Sequence, residues 1–332
     1  MQRFLLDWLI CPQCHAKLQW KVDCEKNGEV EEAQAVCSGC YHSYPVREGI
    51  ACFLTDMLER TDLWEQSESE LLRFLNQNPE IRGQLLYAPP EKLAPADRFY
   101  RMMVLEEMGD FSQSNTLETS ALQSLYTAEY WACWNKHLDN VATRALQSGS
   151  PVLDFASGRG YFIERLVQRG LPNLVATDFS LSVLRRSLRV FQNNYPDASL
   201  SFIAMDARQT PFQDQTIPLL TTNLGLGNIQ QPRSLLAELR RICSGSLLDI
   251  HHFYPAEDEV HAKAFADLKI NSMLNEEQLL AEFGQYHWQV ELINECYSKS
   301  LPTPKSVLLD GATIDTFPLH PVELKWATIR AH

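Results

Sequence analysis

A short apolar run that ends in an acid, Pro151-Val152-Leu153-Asp154, is followed at once by Ala156-Ser157-Gly158-Arg159-Gly160 and then by a helical pattern. This order allows few folds. A buried strand, a turn whose glycines let backbone approach a ligand closely, and a helix opening directly after it make the first half of a βαβ unit. The alternation continues downstream. Residues 173–178, 200–206, 217–223 and 246–251 read as strands, and 160–169, 180–193 and 234–242 as helices. A further helix over 275–283 precedes two closing strands at 288–293 and 322–329. Such alternation predicts an α/β fold: a doubly wound, mostly parallel seven-stranded sheet with helices on both faces.

The chemistry-bearing residues fall at the strand ends. Gly158 and Gly160 follow the first strand. Asp178 ends the second, where an acid can accept both hydroxyls of a ribose. Asp206 ends the third, where a carboxylate can reach an adenine amino group. Asn223 ends the fourth, beside the crevice where strand order reverses and doubly wound sheets bind ligands. With Ala207 and Pro211-Phe212-Gln213-Asp214 added, the ordered set resembles the class I S-adenosylmethionine-dependent methyltransferases over residues 126–332. The resemblance implies a Rossmann-like fold. It assigns Asp154, Gly158 and Gly160 to the methionine end of the cofactor, Asp178 to its ribose, and Asp206 with Ala207 to its adenine. Ala156, Ser157, Phe179 and Asn223 complete the cofactor set. A dinucleotide-binding dehydrogenase would want Gly-x-Gly-x-x-Gly, where this chain has Ala156, Gly158 and Gly160. The chain also departs from the methyltransferase pattern: Ala156 replaces the first glycine, Pro218 the acid of strand four, and Ser244-Gly245-Ser246 the usual Pro-Gly-Gly turn. A catalytically silent cofactor-binding protein is therefore the alternative to an enzyme.

Two Cys-x-x-Cys pairs stand near the N-terminus, Cys11-Pro12-Gln13-Cys14 and Cys37-Ser38-Gly39-Cys40. Two residues between thiolates let both sulfurs reach one ion, and two such knuckles close a tetrahedral shell of structural zinc type. A unit of ~40 residues buries too little apolar surface to fold alone, so the metal would supply folding free energy. His15 and His42 flank the knuckles and read as loop residues, and Cys24 as a bystander. With Leu9-Ile10 ahead of the first knuckle and Tyr44-Pro45-Val46-Arg47-Glu48-Gly49-Ile50 after the second, residues 1–55 resemble the small zinc-ribbon activator subunit of tRNA, rRNA and release-factor methyltransferases. In that family the ribbon binds a methyltransferase. The implied organisation is a zinc-ribbon domain at 1–55, a helical linker or lid segment at 56–148, and an S-adenosylmethionine-binding domain at 149–332. Metal removal is expected to unfold the ribbon before the cofactor domain.

The middle segment carries Leu63, Trp64, Leu71, Leu72 and Leu75 at helical steps. Prolines predict a loop over 83–95, with helices at 96–108 and 119–146. Tyr126, Tyr130 and Trp134 share one helix face. They pack as core or wall a substrate pocket, with Tyr130 a candidate contact near the transferred methyl. His251 and His252 end the fifth strand and are candidates for a general base, against the plainer reading of a solvated pair. Arg185, Arg186 and Arg189 read as a solvated basic helix face.

The formal net charge is −13. Nucleic-acid binders usually carry a basic footprint, so RNA is disfavoured as acceptor. After Asn223 comes Leu224-Gly225-Leu226, which lacks the Asn-Pro-Pro-Tyr of exocyclic-amine methylation, and no Pro-Cys nucleophile follows that strand. A small-molecule acceptor is the leading expectation, rRNA or tRNA the alternative, and a protein partner through the ribbon a further one. No apolar run is long enough to span a bilayer, no cleavage signal follows residues 1–10, and the free-cysteine pattern suits a reduced compartment; a cytoplasmic chain is expected.

Overall fold

The computed structural model describes residues 1–55, 68–149 and 151–332; Leu63 and Trp64 of the expected first linker helix lie outside them. Its strands are β1 (Leu18–Lys26), β2 (Glu29–Cys37), β3 (Ser43–Arg47), β4 (Ile50–Cys52), β5 (Val152–Asp154), β6 (Leu174–Asp178), β7 (Leu200–Ala204), β8 (Ile217–Asn223), β9 (Cys243–Phe253), β10 (Val290–Ser300) and β11 (Val322–Ala331). The helices are α1 (Leu5–Trp8), α2 (Glu68–Gln77), α3 (Pro79–Tyr87), α4 (Pro95–Met108), α5 (Phe111–Leu125), α6 (Ala128–Ser148), α7 (Tyr161–Gln168), α8 (Leu181–Asn194), α9 (Pro232–Ile242), α10 (Glu259–Asp267), α11 (Asn271–Leu274) and α12 (Glu276–Gln285).

All strands join one sheet in the order β1-β2-β3-β4-β7-β6-β5-β8-β9-β11-β10. The seven strands read from residue 150 onward are present, with β7, β6, β5, β8 and β9 parallel and β11 antiparallel to β9 and β10. β5, β6 and β7 are buried throughout, as strands covered on both faces must be. The sheet is nevertheless eleven-stranded, because the N-terminal unit adds four more. β4 lies parallel to β7, pairing Ile50 with Phe202, Ala51 with Ile203 and Cys52 with Ala204, and Phe53 N–H continues the ladder to the Ala204 carbonyl at 2.8 Å. A second seam joins Ile10 N–H to the Pro211 carbonyl at 2.7 Å and Gln213 N–H to that of Trp8 at 3.0 Å. The apolar core is shared as well. Cys11, Val30, Tyr44, Val46 and Phe53 belong to the cluster that holds Leu153, Ile203, Phe212 and Leu235.

The linker segment is more helical than its prolines suggested. The expected 83–95 loop contains the end of α3 and a single 3₁₀ turn, Pro90–Lys92. Pro79 and Pro95 each sit in the first turn of a helix, where the missing N–H costs nothing. The expected single helix over 119–146 is two. Tyr126 is extended at the C-cap of α5, and Thr127 caps α6 by accepting from Tyr130 N–H at 3.1 Å. α2, α4 and α5 form a separate cluster around Leu75, Met102 and Leu122, which also takes Leu309 from the long β10–β11 connection. This connection, residues 301–321, is tied down at several points. Asp97 at the start of α4 accepts from Ser306 Oγ and from the N–H groups of Val307 and Leu308, Tyr100 Oη donates to the Thr313 carbonyl at 3.0 Å, and Leu319 N–H donates to His261 Nε2 at 2.8 Å. Among the described residues no helix is long and apolar enough to cross a membrane.

Candidate active site

The four knuckle cysteines come together as their spacing requires. Cys14 and Cys37 Sγ are 3.4 Å apart, Cys11 and Cys40 Sγ 3.6 Å, and all four lie within 4.8 Å of one another. A tetrahedral ion with Zn–S of ~2.3 Å sets sulfur–sulfur edges of about 3.8 Å, so the thiols fit such an ion. Gly39 is sterically required: a Cβ there would stand 2.9 Å from Ala16 Cβ and 3.4 Å from Cys14 Sγ. Burial pushes the Cys37 thiol up, but the N–H groups of Cys40 and Gly39 outweigh it and hold it down to about 6. Neither His15 nor His42 belongs to the cluster.

At the other end of the parallel strands the loops open on one cavity of about 690 Å³. Of the ten residues expected to hold the cofactor, Ala156, Ser157, Gly158, Asp178, Phe179, Asp206, Ala207 and Asn223 line it. Asp178 is fixed by Gly158 N–H on Oδ2 at 3.0 Å and Ser180 N–H on Oδ1 at 2.9 Å. Gly158 has no atom within 4 Å of where a Cβ would stand, so its backbone is open to a ligand. Two expected contacts are not among the lining residues. Asp154 is fully buried beneath the loop, where Oδ1 accepts from Thr221 Oγ1 at 2.7 Å. Gly160 opens α7 at φ +82°, and a Cβ would meet the Phe191 ring at 3.0 Å. Both shape the loop rather than face the cavity. Asp206 needs a different correction. Its carboxylate is clamped by Arg208, with N–H on Oδ1 at 2.8 Å, Nε on Oδ1 at 2.9 Å and Nη2 on Oδ2 at 2.7 Å, so an adenine amino group would have to share an oxygen.

The loop is braced from outside by a network that helical periodicity does not reveal. Arg186, read as part of a solvated face, is buried and donates to Glu106 on α4 at 2.8 Å and to the Arg159 carbonyl at 3.0 Å. Arg159 Nη2 reaches the same Glu106 oxygen at 2.7 Å. Burial would raise the Glu106 carboxyl, but the two guanidiniums hold it below its ordinary value. Arg185 is exposed, as expected.

Beyond the cofactor end the cavity continues between α4, α5, α6 and residues 301–321, where Phe99, Met103, Leu122, Leu309, Ile314 and Phe317 line it. Tyr126, Tyr130 and Trp134 form a wall here, although not from one helix face: Tyr130 and Trp134 lie on α6, and Tyr126 joins them from the extended C-cap of α5. Tyr130 stacks on Tyr126 with centroids 4.6 Å apart, and Trp134 Nε1 donates to Asn223 Oδ1 at 3.0 Å, joining that wall to the β8 loop. His251 and His252 also line the cavity, but within β9 and not in a solvated loop. His251 Nε2 lies 2.6 Å from the Met273 carbonyl, and Nδ1 stands 3.0 Å from Asp249 Oδ2 without a hydrogen bond to it. Burial holds His252 down to about 3, which keeps it neutral and a poor proton acceptor. A residue that the sequence did not single out stands in this chamber: Asp315, whose Oδ2 accepts from Tyr126 Oη at 2.8 Å.

Residues 152–245 match the family model described as methyltransferase domain, and residues 2–49 the one described as Trm112p-like protein. The chain thus has a segment that matches a methyltransferase domain behind one that matches a Trm112p-like protein. It is 39% identical over 94 residues to a demethylmenaquinone methyltransferase of Renibacterium salmoninarum, covering 28% of this chain and 37% of that protein. Over 110 residues it is 31% identical to a 2-phytyl-1,4-naphtoquinone methyltransferase of Trichormus variabilis, covering 31% of this chain and 48% of that one. The chain thus spans less than half the length of either relative. Among solved structures, the YcgJ protein of Bacillus subtilis superposes with a TM-score of 0.46 at 17% identity, covering 59% of this chain and 97% of that chain.

Asp154 offers a pH test of the loop. Burial pushes its carboxyl up to about 7, against the pull of the Thr221 hydroxyl. The folded value lies above the ~3.9 of an unfolded chain. The stabilising neutral form is therefore fully present below about pH 4 and lost as pH rises through about 7. Asp154→Asn, neutral throughout, is expected to remove that part of the slope when ligand-free chain is unfolded in urea at several pH values. An identical slope in both chains would contradict the assignment.

Proposed function

We propose that this chain transfers a methyl group from S-adenosylmethionine to a small, apolar, ring-bearing acceptor of quinone type. The observation that carries the reading is the continuity of the cavity. The same enclosed space touches Gly158 and Asp178 at one end and Phe99, Tyr126 and Leu309 at the other. Its volume lies within the ~300–1,000 Å³ of small-molecule sites. Arg159, the one Lys or Arg among its described lining residues, is committed to Glu106, so nothing there favours a phosphate backbone. The quinone methyltransferase names of the relatives support the same acceptor class. When bound, S-adenosylmethionine supplies an electrophilic methyl on a sulfonium. The chain's own part is then mostly positioning. Gly158 and Asp178 hold the cofactor, Phe179 and Ala207 border its base, and Tyr130 with Trp134 presses the acceptor toward it.

The four cysteines hold a structural zinc in this reading. The edge of the ribbon given by β4 is used within the chain against β7, so the partner of the ribbon is its own methyltransferase domain.

Labelled S-adenosylmethionine, offered with a reduced naphthoquinone bearing an isoprenoid tail and with total RNA, is expected to place label in the solvent-extractable fraction. Label confined to RNA would contradict the acceptor class. A strong chelator is expected to lower the melting temperature of the whole chain, and not to unfold the ribbon ahead of the cofactor domain as its size alone suggested, since ribbon and sheet share one core. A melting curve unmoved by chelator would contradict the zinc.

A further inference from the structure

Methylation at an oxygen or ring carbon requires the acceptor to lose a proton; His251 is tied through Nε2 to the Met273 carbonyl, and His252 is packed between the rings of Tyr130, Tyr254 and Trp326. The chamber holds another group. Asp315 lies at the wall where residues 301–321 cross the cavity, and its backbone is pinned on both sides by Thr303. Thr303 Oγ1 accepts from Asp315 N–H at 3.2 Å and donates to the Asp315 carbonyl at 3.4 Å. The carboxyl's Oδ2 is held by Tyr126, while Oδ1 meets no donor among the described residues. No described Lys, Arg or His pairs with the half-buried Asp315, which lines the cavity. Its aromatic surroundings, Tyr126, Tyr130 and Tyr254, suit a flat ring lying beside it.

We propose that Asp315 is the general base of the transfer, and that the acceptor is a planar, apolar molecule carrying an acidic ring hydroxyl. This rests on the cavity being the methyl-acceptor site. The hydroxyl proton passes to Asp315 Oδ1. The electron pair left on the acceptor, at its oxygen or the conjugated ring carbon, forms the new bond to the methyl carbon. The sulfur–methyl bond breaks with its pair returning to sulfur. Where carbon is methylated, the ring C–H proton leaves afterwards and the acceptor oxygen takes a proton back, so one proton is released per methyl in either case.

The groups around Asp315 leave it free to titrate alone. Burial pushes the hydroxyls of Tyr126, Tyr130 and Tyr254 well above their ordinary range and that of Tyr100 to about 12, and His252, in ring contact with Tyr130 and Tyr254, stays neutral. Asp310 is exposed at the rim. Burial raises Asp315 itself to about 6 against the Tyr126 hydrogen bond, near the working pH where a general base is most effective.

A photoacid reads this without turnover. 2-Naphthol becomes strongly acidic when excited and emits as naphtholate only if an acceptor is within hydrogen-bond reach. Bound to the intact chain with S-adenosylhomocysteine it is expected to emit as naphtholate, and bound to Asp315→Asn as neutral naphthol. With the reduced naphthoquinone as acceptor, Asp315→Asn is expected to lose about 100-fold or more in kcat and the acidic limb of its pH profile. Tyr126→Phe keeps that limb but moves it to higher pH, because the bond steadying the carboxylate is gone. Equal emission from both chains, or an Asp315→Asn profile that keeps the limb, would overturn the proposal while leaving methyl transfer standing. Loss of the limb in Tyr126→Phe would reduce the pair to a structural tie. Failure of 2-naphthol to bind would remove the ring-acceptor reading, and the base with it.

Discussion

Everything in this molecule that can act on a ligand depends on parallel strands ending together. β5 sits at the centre, hydrogen-bonded to β6 on one side and β8 on the other, with Asp154 level with Ala176 and Thr221. Parallel pairing sends the carboxyl ends of β5, β6, β7 and β8 to the same edge of the sheet. The loops carrying Gly158, Asp178, Asp206 and Asn223 therefore have no choice but to meet. From β5 the chain runs outward through β6 to β7 and then crosses back to β8 on the other side of β5, and the crevice at this reversal is the cavity. A displacement of one strand by a single residue would turn its side chains to the other face and dissolve the site.

Two attachments adapt that framework to this chain. The N-terminal ribbon is too small to hold itself together, and it is added to the edge of the sheet through the short β4 and into the core through Phe53 and Tyr44, whose rings stack at 5.0 Å. On the opposite side, α4 delivers Glu106 to Arg159 and Arg186. One buried and one half-buried guanidinium and the buried carboxylate offset much of one another's desolvation, and the geometry fixes the glycine loop against the helical segment. The same α4 holds residues 301–321 through Asp97 and Tyr100, so one helix positions both ends of the cavity.

What could be read from the sequence follows from where its information is local. Buried parallel strands are continuous apolar runs, and acids at their ends are visible without any partner, so β5 to β9 and the residues Asp178, Asp206 and Asn223 were legible. The cysteine knuckles were legible because their ligands come as spaced pairs. Non-local contacts were not. Three residues of β4 carry no sign that they will pair with residues some 150 positions on, so an eleven-stranded sheet could not be read. Arg185, Arg186 and Arg189 look alike until Glu106, 80 positions upstream, singles out Arg186. Asp315 lies in a segment without periodicity, and only the fold brings it to Tyr126, 189 positions earlier. The break between α5 and α6 did have a local signal, the capping Thr127, hidden by strong helix formers on either side.

The central claim is that these strand-end loops form a nucleoside-sulfonium site. Calorimetric titration of S-adenosylmethionine into the intact chain and into Asp178→Ala tests it most directly. The account predicts micromolar-range binding by the intact chain, roughly −8 kcal/mol, and a large loss of heat and affinity once the carboxylate at the end of β6 is gone. No binding by the intact chain, or equal binding by both, would contradict it.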